Sequence, residues 1–103
     1  MALYQAAESG DVAEMRRLVA MGMNVEQRDA ERVTVLHWAA LHGHVEAIRV
    51  LVQLGADKEA KGPDRMTPLH VAANQGHVAA IRALVELGAN VEAEDFEGGT
   101  PLH

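Results

Sequence analysis

An all-α solenoid is the fold this sequence predicts: helix pairs stacked side by side, with a short hairpin between one pair and the next. Three observations predict it. First, the stretch Thr67-Pro68-Leu69-His70-Val71-Ala72-Ala73 stands 33 residues after Thr34-Val35-Leu36-His37-Trp38-Ala39-Ala40, and 33 residues before a third opening, Thr100-Pro101-Leu102-His103. A looser copy, Met1-Ala2-Leu3-Tyr4-Gln5-Ala6-Ala7, begins the chain. Second, apolar residues inside each copy recur at helical spacing. Third, glycines close the helical runs, and polar stretches rich in Asp, Glu, Gly and Pro separate the copies. A fixed period of this length is the mark of stacked repeats in which each unit buries the face of its neighbour.

The units are Met1–Val33, Thr34–Met66 and Thr67–Gly99, with Thr100–His103 starting a fourth, all read as one domain over residues 1–103. Within the third unit Thr67 is placed to cap a helix, and Pro68 sits at its first position, where a missing N–H is no loss. Leu69, Ala72 and Ala73 give this helix a narrow apolar face, and Gly76 ends it. After His77 a second helix carries Val78, Ile81, Leu84 and Val85 and closes at Gly88. The same pattern runs through Val45, Ile48, Leu51, Val52 and Gly55, and through Val12, Met15, Leu18, Val19 and Gly22. Asp11 and Glu14 form a capping-box pattern for the second helix of the first unit. Helices of about two turns are unstable alone, so stability must come from stacking.

Composition narrows the function. The formal net charge of −6 opposes a nucleic-acid partner, which needs a basic face to neutralise phosphates. No apolar run approaches the ~18 residues that span a bilayer, so no membrane role is expected. With 0 cysteines there is neither a disulfide framework nor thiolate chemistry, which fits an intracellular, most simply cytoplasmic, setting, with the nucleus also open.

The repeated Thr-x-Leu-His-x-Ala-Ala, Gly-His-Val and Leu-Val-x-Leu-Gly-Ala segments, together with the period, resemble the ankyrin repeat. The resemblance implies helix–turn–helix units plus β-hairpin fingers, whose concave side typically binds other proteins. It also implies that the first histidine column (His37, His70, His103) braces hairpin and turn, while His44 and His77 sit at the turn between helices. The chain departs from the family pattern at several places. Arg32 and Arg65 stand where the family carries the hairpin glycine that Gly98 keeps; if that backbone needs positive φ, each costs on the order of 1 kcal/mol. Gly62 replaces the finger aspartate retained at Asp29 and Asp95, with Pro63 after it, so a different middle finger is expected. Lys58 replaces a small aliphatic residue, its stem still able to cover apolar surface. Glu26, Glu59 and Glu92 replace an asparagine that the family can hydroxylate. The chain stops at Leu102-His103 with no polar cap, which reads as a segment of a longer array, a natural stop and a swapped partner being the alternatives.

Catalytic and metal chemistry find little footing. Equivalent histidines of adjacent repeats should stand ~10 Å apart, too far to share one ion, and His42-Gly43-His44 has no carboxylate or cysteine at ligand spacing. Ser9 is the only serine and lacks a nucleophile elbow. No cofactor, metal or enzymatic activity is expected. Arg16, Arg49 and Arg82, flanked by Glu14, Glu46 and Glu86, read as a solvated convex face. The family's binding surface, carried over position by position, selects Ala30, Glu31 and Val33 on the first finger, Pro63, Asp64 and Met66 on the second, Phe96 and Glu97 on the third. On the first helices it selects Gln5, Glu8 and Ser9, then Trp38, Leu41 and His42, then Val71, Asn74 and Gln75. The expected site is therefore an apolar centre at Trp38 and Met66 within an acidic rim, suited to a protein or peptide with apolar and basic residues. Weak self-association through the uncapped end is the alternative, as is a regulatory segment of a larger enzyme.

Overall fold

The computed structural model describes residues 2–95 and 97–101; expectations resting on Met1, Phe96, Leu102 and His103 lie outside the described residues. Three helix pairs follow one another: α1 (Ala2–Ser9) with α2 (Val12–Ala20), α3 (Val35–Leu41) with α4 (Val45–Gln53), and α5 (Pro68–Asn74) with α6 (Val78–Glu86). α3 packs between α1 and α5, and α4 packs between α2 and α6, so the pairs form two parallel rows.

The repeated motif explains the inner row. Thr34 and Thr67 cap α3 and α5, each hydroxyl accepting from the backbone N–H three residues on. The reciprocal bond comes from histidine: the Thr34 and Thr67 N–H groups donate to Nδ1 of His37 and His70 at 3.3 and 3.1 Å. A backbone N–H can only donate, so both Nδ1 atoms are acceptors and the rings carry their proton on Nε2. That proton reaches across to the end of the following finger, at Met66 O (2.8 Å) and Gly99 O (3.0 Å). Alanines at Ala6, Ala7, Ala39, Ala40 and Ala72 are buried and let the inner helices approach closely.

The outer row is capped differently. Asp11 accepts from Glu14 N, but the Glu14 carboxylate does not return the bond; Arg17 Nη2 holds it at 2.8 Å, and this bond keeps its pKa below the usual range. The box read from the sequence is thus half made. His44 and His77 occupy the N-cap positions of α4 and α6 without capping them. Their Nε2–H groups donate one repeat back, to Glu8 O (2.6 Å) and Leu41 O (2.9 Å). Met15, Ile48, Leu51 and Leu84 fill the seam between the rows. On the third pair Val78 and Val85 are 65% and 41% exposed, whereas their counterparts Val45 and Val52 are half-buried under the next helix.

The fingers are tight turns rather than extended ladders; among the described residues the isolated pairing is Arg28 with Thr34. Each closes the same way, with Asp29 N on Val33 O, Gly62 N on Met66 O and Asp95 N on Gly99 O. Asp29 and Asp95 tighten their turns further, one carboxylate oxygen of each accepting two backbone N–H groups. Gly62 has no side chain to do this, and a 3₁₀ turn at Pro63–Arg65 takes over, with Asp64 at φ 56°. Arg32 (φ 69°) and Arg65 (φ 61°) do occupy left-handed backbone, as does Gly98 (φ 81°). Arg32→Gly should therefore stabilise the chain by about 0.5–1 kcal/mol, the relief of left-handed strain less the entropy of a freer unfolded chain. A higher urea midpoint at unchanged slope checks it.

Glutamates tie finger to finger. Glu26 accepts from Asp57 N at 3.0 Å and Glu59 from Asn90 N at 2.8 Å. The family's asparagine position is thus occupied here by a longer acceptor that spans to the next repeat.

Candidate functional site

Two adjoining depressions lie along the side formed by the fingers and the inner helices. The first, of about 180 Å³, is lined by Val33, His37, Leu41, Pro63, Met66 and Val71, and its wall presents only apolar atoms. The second, of about 470 Å³, is lined by Asp64, Met66, Asn74, Asp95 and Glu97. Met66 is the shared wall between them.

Each side chain is placed by the repeat. Leu41 ends α3 and Val71 follows His70 on α5, so neighbouring inner helices supply the floor. Val33 and Met66 are the last residues of their fingers, and their carbonyls accept from Asp29 N and Gly62 N. The Met66 carbonyl also accepts from His37 Nε2, so the ring that lines the pocket also holds the finger above it. The second depression is acidic because the third finger turns on Asp95, whose bonds from Gly99 N and Glu97 N hold its pKa below the ordinary carboxylate value.

Of the residues chosen from the sequence, Val33, Leu41, Pro63, Met66 and Val71 come together in the apolar pocket. Asp64, Asn74 and Glu97 meet in the acidic one. Trp38 and His42 line neither. Trp38 is half-buried, edge-on to Tyr4 with ring centroids 6.0 Å apart and stacked on His42 at 5.5 Å. Trp38 Nε1 and His42 Nε2 are buried without a protein partner. Tyr4 in turn donates from its hydroxyl towards Val33 O, so this aromatic cluster backs the first finger. Gln75 caps the end of α5 and Glu31 stands exposed at the first fingertip, both outside the two depressions. Phe96 lies outside the described residues.

His37, expected only as a brace, and Asp95, expected only as the family's finger aspartate, also line the site. The available signal was their position next to groove residues in the repeat, since a bracing side chain at the base of a finger necessarily borders what the finger overhangs. Among the described residues, no group of three His, Asp or Glu side chains could hold a metal ion, and no helix is long and apolar enough to cross a membrane. On the convex side Arg49 pairs with Glu86 at 2.9 Å across repeats, and Arg16 donates to Gln53 at 3.3 Å. Those groups are largely exposed, and such pairs contribute little.

Stacked helix pairs carrying fingers over a shallow groove define a repeat-array interaction protein. A family model described as ankyrin repeats (3 copies) matches residues 1–62 and 55–103. The chain belongs to the ankyrin-repeat family, whose members generally mediate protein–protein interactions. No curated protein matches it.

Proposed function

We propose that this chain is a non-catalytic protein-interaction module whose partner lies in the concave groove, over Met66. The observation that carries this is the apolar pocket of Val33, Leu41, Pro63, Met66 and Val71 next to the acidic depression, the two sharing Met66. An apolar hollow that fits a side chain is where binding energy concentrates, while the polar rim sets orientation. Leu41→Lys and Val71→Lys place a cation in that hollow from residues that are already half-buried rather than core. Each should weaken a captured partner at least tenfold, about 1.4 kcal/mol, with the helical circular dichroism unchanged. Partner affinity that survives both substitutions, but falls on changing convex residues such as Arg82, would place binding elsewhere. Trp38→Ala should also weaken the partner, here by loosening the aromatic cluster behind the first finger rather than by removing a direct contact.

A second reading follows from the exposure of Val78 and Val85 on α6. This face is the continuation of the α4–α6 packing and would support self-association. Sedimentation equilibrium over a hundredfold concentration range tests it: association that disappears in Val78→Glu/Val85→Glu supports this reading, and a monomer throughout removes it.

A further inference from the structure

The groove changes character along its length, and the change specifies what lies in it. At the first two fingertips an acid is followed by an arginine, Glu31 by Arg32 and Asp64 by Arg65, whereas at the third Glu97 is followed by Gly98. Lys61, on the second finger, is held at 3.3 Å on the Glu94 carbonyl. Among the described residues, the lining of the larger depression contains three carboxylates, Asp64, Asp95 and Glu97, and no cation, although the Lys61 charge is near enough to help hold the Asp95 pKa down. One oxygen of Asp95, Oδ1, accepts from both Glu97 N and Gly99 N, so these two bonds do not use Oδ2. The apolar pocket beside it is the size of a single side chain, not a trough for the ridge of a helix.

Building on the groove reading, we infer that the occupant is an extended peptide segment with one aliphatic anchor and one Lys or Arg three residues away, the anchor in the pocket under the first two fingers and the cation between the second and third. The spacing follows from the repeat. Packed helices stand ~10 Å apart, and so do depressions one repeat apart. A polyproline-II segment rises about 3.1 Å per residue with three residues per turn, so positions i and i+3 point the same way about 9 Å apart. In a flat strand i and i+3 face opposite sides, and a helix needs about seven residues for the same distance. The acidic end gives the segment a fixed direction and register, since reversing it puts the cation in the apolar pocket and the aliphatic anchor against three carboxylates, and sliding it by one repeat makes one of those two mismatches.

The test uses synthetic peptides with one Leu and one Arg in a Pro/Ser/Gly background, separated by one, two, three or six intervening residues. Fluorescence anisotropy gives affinity, and the methyl resonance of Met66 reports occupancy of the wall between the pockets. Two intervening residues should bind about tenfold tighter than the other spacings, with Met66 shifted. In Asp64→Asn/Glu97→Gln, two exposed positions whose change leaves the fold intact, the advantage of Arg over Gln in that peptide should disappear. It should likewise shrink between about 0.05 and 0.5 M salt as screening grows. Peptides that shift Met66 but ignore the position of Arg overturn the inference and leave the groove reading standing. An optimum at one, three or six intervening residues overturns it; at six, the same pair in an Ala background, which can form the helix that Pro and Gly forbid, tests a helical occupant. Binding that leaves Met66 unmoved overturns the groove reading itself. No binding by any peptide at millimolar concentration overturns the extended-segment occupant, while Leu41→Lys and Val71→Lys still test the groove with a folded partner.

Discussion

His37→Ala should lower stability by about 3 kcal/mol and Tm by more than about 10 °C. The ring is 2% exposed and makes bonds that nothing else can replace. Its Nδ1 accepts from Thr34 N and its Nε2–H donates to Met66 O, so its loss strands the buried Thr34 N–H, leaves Met66 O with only its bond from Gly62 N, and empties the volume between them. The stranded donor costs roughly 1–3 kcal/mol, the lost bond to Met66 O about 1 kcal/mol, and the void adds to that. His44→Ala is the control, because it removes a single bond from a half-exposed ring, about 1 kcal/mol. Urea titrations of the two variants at neutral pH give the comparison. Equal losses would mean that the brace between cap and finger is not what holds the second repeat.

The same ring gives the stability a pH dependence. Burial is the main cause that pushes the His37 pKa below its ordinary value of 6.5, outweighing the Met66 carbonyl, which favours the proton. In the unfolded chain the ring regains the ordinary value and takes up protons first as pH falls. The unfolded state then binds more protons than the folded one, so stability declines with falling pH. The contribution is complete above pH 6.5 and is lost as pH falls from there through the folded pKa. His37→Ala should flatten this part of the curve. The Asp95 carboxylate, also held low, adds a second decline below its ordinary value of 3.8.

How much of this was legible in the sequence depended on whether a feature is local. Thr34 and Thr67 as caps, the glycine stops and the alternation of helix and finger are set by neighbours within a few residues, and the period repeats each signal. Positive φ at Arg32 and Arg65 was likewise readable by comparing copies. What was not legible depends on where a side chain ends up after stacking. Trp38 shares its repeat slot with Val71, which lines the pocket, but its larger ring turns against Tyr4 and His42. Glu14 had two partners within reach, and the neighbouring Arg17 guanidinium won over the cap N–H because a charged, bidentate donor binds a carboxylate more strongly. The straps from Glu26 and Glu59 could not be seen at all, since they join residues 31 apart in sequence.

Gly43→Ala tests how the stack sets the groove. Gly10, Gly43 and Gly76 occupy equivalent turns with nearly the same backbone, at φ 75°, 70° and 73°. An alanine at any of them carries the same left-handed strain of about 1 kcal/mol. They differ in what a Cβ would meet. At Gly76 nothing lies within 4 Å, at Gly10 the His44 ring lies at 3.0 Å, and at Gly43 two atoms of the His77 ring lie at 2.8 Å. Gly76→Ala should therefore cost about 1 kcal/mol and Gly43→Ala about 3 kcal/mol, the excess being the overpacking of the ring. Gly10→Ala should fall between them. The His77 ring can escape only by giving up its bond to Leu41 O, and Leu41 is the residue whose side chain lines the apolar pocket. Gly43→Ala should thus loosen the seam between the second and third repeats, read as faster amide exchange in α5 and α6, and weaken any groove-bound partner without touching it. Gly76→Ala, with equal backbone strain and no displaced ring, should leave the partner's affinity unchanged. If both variants weaken the partner alike, backbone strain rather than the histidine contact governs the groove.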